Sequence, residues 1–233
     1  MPDTRSLRPL VNQRGFSLVE MMVVVAVIAI LSGILVPNFV QGRVAANESA
    51  VIGTLRAIST GQFRFKAMAL VDVDGNGGYE YGTIREMTGG TALRGSGGDR
   101  LSPNLLPMSL DGVDANGRFL KNGYYFQLYL PDAAGLGVAE SAAGIASIAP
   151  QQAEGYWTML AWPVTPQGSG RATFFINQSG EIVKTTEGGY HGTTLVPPAG
   201  AGLVGNATAG HIDRNSVAVG VAGADGHVWK PVR

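Results

Sequence analysis

One apolar run, broken by a single charge, constrains this chain more than any other feature. Over residues 16–36 every position is apolar or small except Glu20. At about 1.5 Å per residue a helix of that length crosses the roughly 30 Å hydrocarbon core of a bilayer. The run is therefore read as a membrane span. A carboxylate inside such a span costs about 2.5–3.5 kcal/mol or more at mid-bilayer, so Glu20 needs a partner or a task.

The residues before the run set its direction. Arg5, Arg8 and Arg14 form a short basic leader, which the positive-inside rule keeps in the cytoplasm, leaving the remainder to be exported. A secretory signal places its small-residue cleavage site after the apolar run. Here the small residue, Gly15, lies between the leader and the run, so cleavage at Gly15 leaves the span attached.

Basic leader, Gly15, Phe16 and a glutamate fifth from the new amino terminus resemble the class III signal of type IV pilins and type II secretion pseudopilins. Pro37 strengthens the resemblance, falling at the twenty-second position counted from Phe16, where that family commonly carries a helix-kinking proline. The resemblance implies cleavage between Gly15 and Phe16 by a prepilin peptidase and N-methylation of Phe16. It also implies assembly roles for Glu20 and Pro37, with apolar helices packed into a filament core. Charge physics fits, because the new amine on Phe16 of one subunit beside Glu20 of its neighbour pairs two charges that are each costly alone. The alternative at Glu20 is a signal anchor whose carboxylate reaches interfacial water.

Composition bounds the rest. Formal net charge is zero, so no basic surface calls for nucleic acid. Charged residues are 15% of the chain against a usual share of about 25%, and there are 34 glycines, which suits a loop-rich exported domain. There is no cysteine. Many pilins staple a C-terminal loop with a disulfide, so this departure leans towards the pseudopilins. The expected organisation is a cleaved leader over residues 1–15, a transmembrane or filament-core helix over 16–38, its amphipathic continuation over 39–70, and an extracytoplasmic headpiece over 71–233. The fold class is α+β, with the long helix packed on a small antiparallel sheet.

The continuation rests on Val44, Val51, Leu55, Ile58 and Phe65, spaced seven, four, three and seven apart along one helix face. Ala45, Ala46, Ile52 and Ala57 widen that stripe, and Asn47 and Glu48 interrupt it. Strands are expected at residues 124–130 (YYFQLYL), 156–162 (YWTMLAW), 172–176 (ATFFI) and 181–185, with a hairpin at NQSG and Gly180 supplying a positive backbone dihedral. A sheet of about four strands follows, with the tail HVWKPV as an added edge. Residues 89–123 read as an irregular excursion and 133–153 as a low-complexity, partly helical connection. The aromatic residues at strand spacing read as core.

Past the helix, Asp72, Asp74, Asn76 and Gly77 have the D-x-D-x-N-G spacing that opens an EF-hand type calcium loop, and Glu80 stands at the ninth position. The twelfth position, where a bidentate Glu belongs, is Thr83. A solvated turn is the alternative. His191, His211 and His227 have no partners at metal-motif spacing. There is no nucleophile elbow, P-loop, H-E-x-x-H helix or dinucleotide fingerprint, so no catalytic role is assigned and the chain reads as no enzyme.

The expected function is a structural subunit of a type II secretion pseudopilus or a type IV pilus. Its implied partners are a prepilin peptidase/methyltransferase, other pilin or pseudopilin subunits and an inner-membrane assembly platform. It is placed as a single-pass protein of the bacterial inner membrane with its C-terminal domain in the periplasm. A membrane-anchored periplasmic binding module that retains a pilin-like anchor is the alternative.

Overall fold

The computed structural model describes residues 15–205, 208–213 and 216–232. The leader arginines Arg5, Arg8 and Arg14 lie outside the described residues. Helix α1 runs from Leu18 to Ala67 and continues through Pro37. Proline has no N–H, so the ladder forgoes one bond there. The helix stops slightly before the expected Leu70 because Ala69 adopts a φ of 55°, a left-handed conformation that ends helices. Two compact units divide between Gln41 and Gly42.

In the first unit, residues 15–41 are all exposed, including Phe16, Val23, Ile30 and Phe39. The second unit holds the core. Val44, Val51, Leu55, Ile58 and Phe65 are all buried, each side chain contributing about 1.5–3 kcal/mol through burial. The stripe is widened by Thr54, Ser59, Gly61 and Gln62, whereas Ala45, Ala46 and Ala57 are exposed. Polar residues can sit there because they find partners: Gln62 Nε2 donates to the Gly82 carbonyl at 2.7 Å, and Gln62 Oε1 accepts from Gly82 N–H at 2.9 Å. The interruption at Asn47 and Glu48 has the same cause. Asn47 donates to the Ser169 carbonyl, and the Glu48 carboxylate accepts from the Arg171 and Ala172 amides.

The sheet has seven antiparallel strands: β1 (Arg118–Lys121), β2 (Tyr124–Pro131), β3 (Gly137–Ala139), β4 (Thr158–Pro163), β5 (Thr173–Asn177), β6 (Ile182–Thr185) and β7 (Lys230–Pro231). The order is β1-β2-β4-β5-β6-β7, with β3 paired to β2. Strand pattern, hairpin and terminal edge agree with the sequence, and Gly180 has a φ of 77°. The count corrects the expected four, and β1 lies inside the stretch read as irregular. Strands of two to four residues, as β1, β3 and β7 are, carry too little alternation to be seen.

Alternate residues divide between two cores. Tyr124, Phe126, Leu128, Met159, Ala161, Phe174 and Ile176 face the cluster that includes the helix stripe. Tyr129, Leu160, Trp162, Phe175 and Val183 face a second cluster with Ala199, Ala201, Leu203, Ile212, Ala218 and Trp229. A C-terminal coil thus covers the sheet face opposite the helix. It lies close because Gly202 has no side chain, and a Cβ there would sit 2.4 Å from the Phe175 ring. Thr158 Oγ1 donates to the Ala199 carbonyl and Trp162 Nε1 to the Gly192 carbonyl, each at 2.8 Å. These bonds hold the coil without a disulfide.

A polar cluster fixes the loops after the helix. Short helix α2 (Ile84–Met87) begins at Thr83 in a reciprocal cap with Glu86. Glu140, from the end of β3, accepts from the Ile84 and Arg85 amides at 2.9 Å each. Burial pushes its carboxyl up to about 7, against the downward pull of those donors and the Thr83 side chain, and the nearby Glu86 adds to the rise. Arg94 binds Glu80 through Nη1 at 2.9 Å and Glu86 through Nε at 3.1 Å, and donates to the Tyr81 carbonyl through Nη2. Helices α3 (Ala142–Ser147) and α4 (Pro150–Ala153) complete the connection to β4.

Candidate functional site

The start of α1 is where sequence and geometry converge. Ser17 precedes the first helical residue, and its N–H donates to Glu20 Oε2 at 2.8 Å while Glu20 N–H donates to Ser17 Oγ at 3.2 Å. This is a capping box, with the hydroxyl and the carboxylate satisfying two amides that a helix start leaves orphaned. Glu20 is thereby folded back over the first turn towards Phe16, where the helix dipole favours negative charge. The S-x-x-E spacing announces this in the sequence, and the membrane argument alone overlooks it. Gly15 and Phe16 precede the helix and are exposed. Beyond them α1 is long and apolar enough to cross a membrane.

The prokaryotic N-terminal methylation motif matches residues 10–36. The chain is 41% identical over 54 residues to the type IV major pilin protein PilA of Myxococcus xanthus, covering 23% of this chain and 24% of that protein. It is 43% identical over 44 residues to the type IV wide pilus major component PilA4 of Thermus thermophilus, covering 19% of this chain and 34% of that protein. The amino-terminal segment of this chain is thus similar to the corresponding segment of type IV pilins. The matched stretches span about a quarter and a third of the lengths of these curated relatives. No solved structure matches.

In this chain the motif residues lie at the start of α1 and along it. Gly15 and Phe16 flank the bond at issue, Glu20 reaches back towards it, and Pro37 lies within the same helix. The headpiece candidates are arranged differently. Asp72 Oδ2 accepts from Gly77 N–H at 3.1 Å, and both Asp74 oxygens accept from Asn76, through its N–H at 3.2 Å and its side-chain amide at 3.0 Å. The Asn76 amide also donates to Glu154 Oε1 at 2.8 Å, a contact between residues 78 positions apart that no local spacing reveals. Glu80 turns away: Oε1 accepts from Val73 N–H and Oε2 from Arg94. Burial raises its carboxyl despite those donors. Among the described residues no three acidic or histidine side chains converge as a cage.

Proposed function

We propose that this chain is a structural filament subunit rather than an enzyme. In this reading it is held in the inner membrane with its C-terminal domain in the periplasm. A prepilin peptidase cuts between Gly15 and Phe16 and Phe16 is N-methylated. An inner-membrane assembly platform then polymerises it, with other pilin or pseudopilin subunits, into a type IV pilus or a type II secretion pseudopilus. The observation that carries the reading is the Ser17–Glu20 cap at the head of an exposed apolar helix. It keeps a carboxylate at the helix start, where it can meet the amine that cleavage would create on Phe16 of a neighbouring subunit, and such a charge pair lowers the cost of placing both groups in a low-dielectric filament core.

Gly15→Leu tests the processing step. A bulky side chain at the cleaved bond should leave the leader attached, so that mass spectrometry of the membrane-extracted protein finds the uncut amino terminus. A normally processed Leu variant would contradict the assigned bond. Electron microscopy of sheared and envelope fractions separates the two assemblies. Long extracellular fibres indicate a pilus, and retention in the envelope a pseudopilus.

Calcium in the loop after α1 is a second proposal, favoured by Asp72. Its Oδ1 is buried and has no hydrogen-bond partner among the described residues, and Glu154 adds a carboxylate to the loop. Carboxylate and amide oxygens suit a hard cation. Binding requires Asp74 to swing off Asn76, and Glu80 stays with Arg94. Calcium should raise the melting temperature of the full chain in detergent, with a stabilisation of about 2.7 kcal/mol when free ion is at 100 times its dissociation constant. An Asp72→Ala, Asp74→Ala double variant should lose the shift. Equal melting in calcium, magnesium and chelator would leave the loop a hydrogen-bonded turn.

A further inference from the structure

A cleft of about 490 Å³ opens between two loops of the second unit, the β4–β5 loop on one side and the residues that follow β6 on the other. Arg171, Thr173, Thr186, Glu187 and Tyr190 line it. Both walls are fixed in place. On the first, the Ser169 carbonyl accepts from Asn47 Nδ2 at 2.8 Å, and Arg171 N–H donates to the Glu48 carboxylate at 3.0 Å. On the second, Glu187 N–H donates to Thr185 Oγ1 at 3.1 Å and Glu187 Oε2 accepts from Val228 N–H at 2.8 Å. The Tyr190 hydroxyl donates to Asp225 Oδ2 at 2.9 Å. Asn47 and Glu48, which anchor the first wall, lie near Gly42, where the chain enters this unit. The cleft therefore stands at the end tethered most closely to the apolar run.

The polar groups left over describe a ligand. The Arg171 guanidinium has no ion pair or hydrogen bond among the described residues. Glu187 Oε2 has His227 Nδ1 at 4.0 Å, while Oε1 has no partner among the described residues. Thr173 is only 3% exposed, yet its hydroxyl makes no hydrogen bond there and is open to the cleft instead of sealed in the core. A cation and a carboxylate oxygen thus line one cleft without pairing with each other. A simple anion would be repelled by Glu187 and a simple cation by Arg171, whereas a zwitterion with its charges held apart satisfies both. Guanidinium and hydroxyl suit a phosphate, and a carboxylate suits a primary ammonium with N–H groups to donate. A head group that joins phosphate to ammonium through a short linker has this pattern, and the end of the unit nearest the apolar run is where a membrane lipid would present it.

We propose that this cleft binds the phosphoethanolamine head group of a membrane lipid, with Arg171 and Thr173 donating to the phosphate and Glu187 accepting from the ammonium. The lipid source rests on the reading that residues 16–36 span the membrane. Two measurements on the full chain in detergent test the proposal. Calorimetric titration with glycerophosphoethanolamine, the head group without acyl chains, should show binding that Arg171→Gln and Glu187→Gln each weaken about tenfold or more, the loss of one hydrogen bond to a charged group. Neither variant should lower the melting temperature, since glutamine at 187 keeps the acceptor for Val228 N–H. Native mass spectrometry with equimolar phosphatidylethanolamine, phosphatidylglycerol and phosphatidylcholine of matched acyl chains should show phosphatidylethanolamine carried in excess. Glu187→Gln should remove its excess over phosphatidylglycerol. No binding of the soluble ester, or an affinity unchanged in both variants, would overturn the site. Equal uptake of all three lipids would overturn the lipid source alone, whereas uptake of none would overturn the membrane reading and the lipid source with it.

Discussion

Glu20→Ala should leave the chain inserted in the membrane and reduce assembled filament by about tenfold or more. Removing the carboxylate eases insertion but strands the proposed amine partner on Phe16 in a low-dielectric core, a loss of about 3–5 kcal/mol for a broken buried pair. The alanine also removes half of the Ser17 capping box, and loss of a cap costs about 0.5–2 kcal/mol. Glu20→Gln separates the two effects. Glutamine serves a capping box as well as glutamate does but carries no charge, so it should preserve the helix start and still fail to assemble. If Glu20→Gln yields wild-type filament while Glu20→Ala does not, Glu20 matters for its cap and the charge pairing is wrong. Fractionation of membrane and sheared filament, quantified by immunoblot, reads all three proteins.

Arg94→Ala should be the most damaging single change in the headpiece. Glu80 and Glu86 have side chains 1% exposed and share this one guanidinium, so the alanine leaves two buried carboxylates without their cation. Breaking such a pair costs about 3–5 kcal/mol; at about 2–4 °C per kcal/mol for a domain of this size, melting should fall by roughly 6–20 °C. The buried Trp157, Trp162 and Trp229 report the transition by fluorescence. Adding Glu80→Gln and Glu86→Gln should recover part of the loss, because the uncompensated charge is then gone. A shift of less than about 2 °C in Arg94→Ala, below the effect of 1 kcal/mol, would show that the network contributes little.

The helix was legible because its periodicity records a packing surface directly. Val51, Leu55, Ile58 and Phe65 meet one sheet face, and a stripe at helical spacing has no other economical explanation. The second layer was also written in the strands, though less openly. In residues 124–130 the apolar and aromatic residues occupy both parities of the alternation, as expected for strands buried on both faces. What covers the second face leaves no such trace, since Ala199, Ala201, Leu203 and Ile212 are set in an aperiodic coil. Glu80 illustrates the remaining limit. Its distance from Asp72 suggests a shared ion, whereas its partner Arg94 arrives from another loop. Glu140 caps α2 from 56 residues away. Contacts of that kind depend on which loops the fold brings together, which spacing along the chain does not encode.

The amino terminus of protein recovered from sheared filaments or from the envelope assembly is the decisive observation. Mass spectrometry should find a chain that begins at Phe16, carries a methyl group on its amine and retains Glu20 and the rest of the apolar helix. A leader intact on assembled protein, or a new amino terminus beyond residue 36 with the helix removed, would contradict a filament subunit built on this segment.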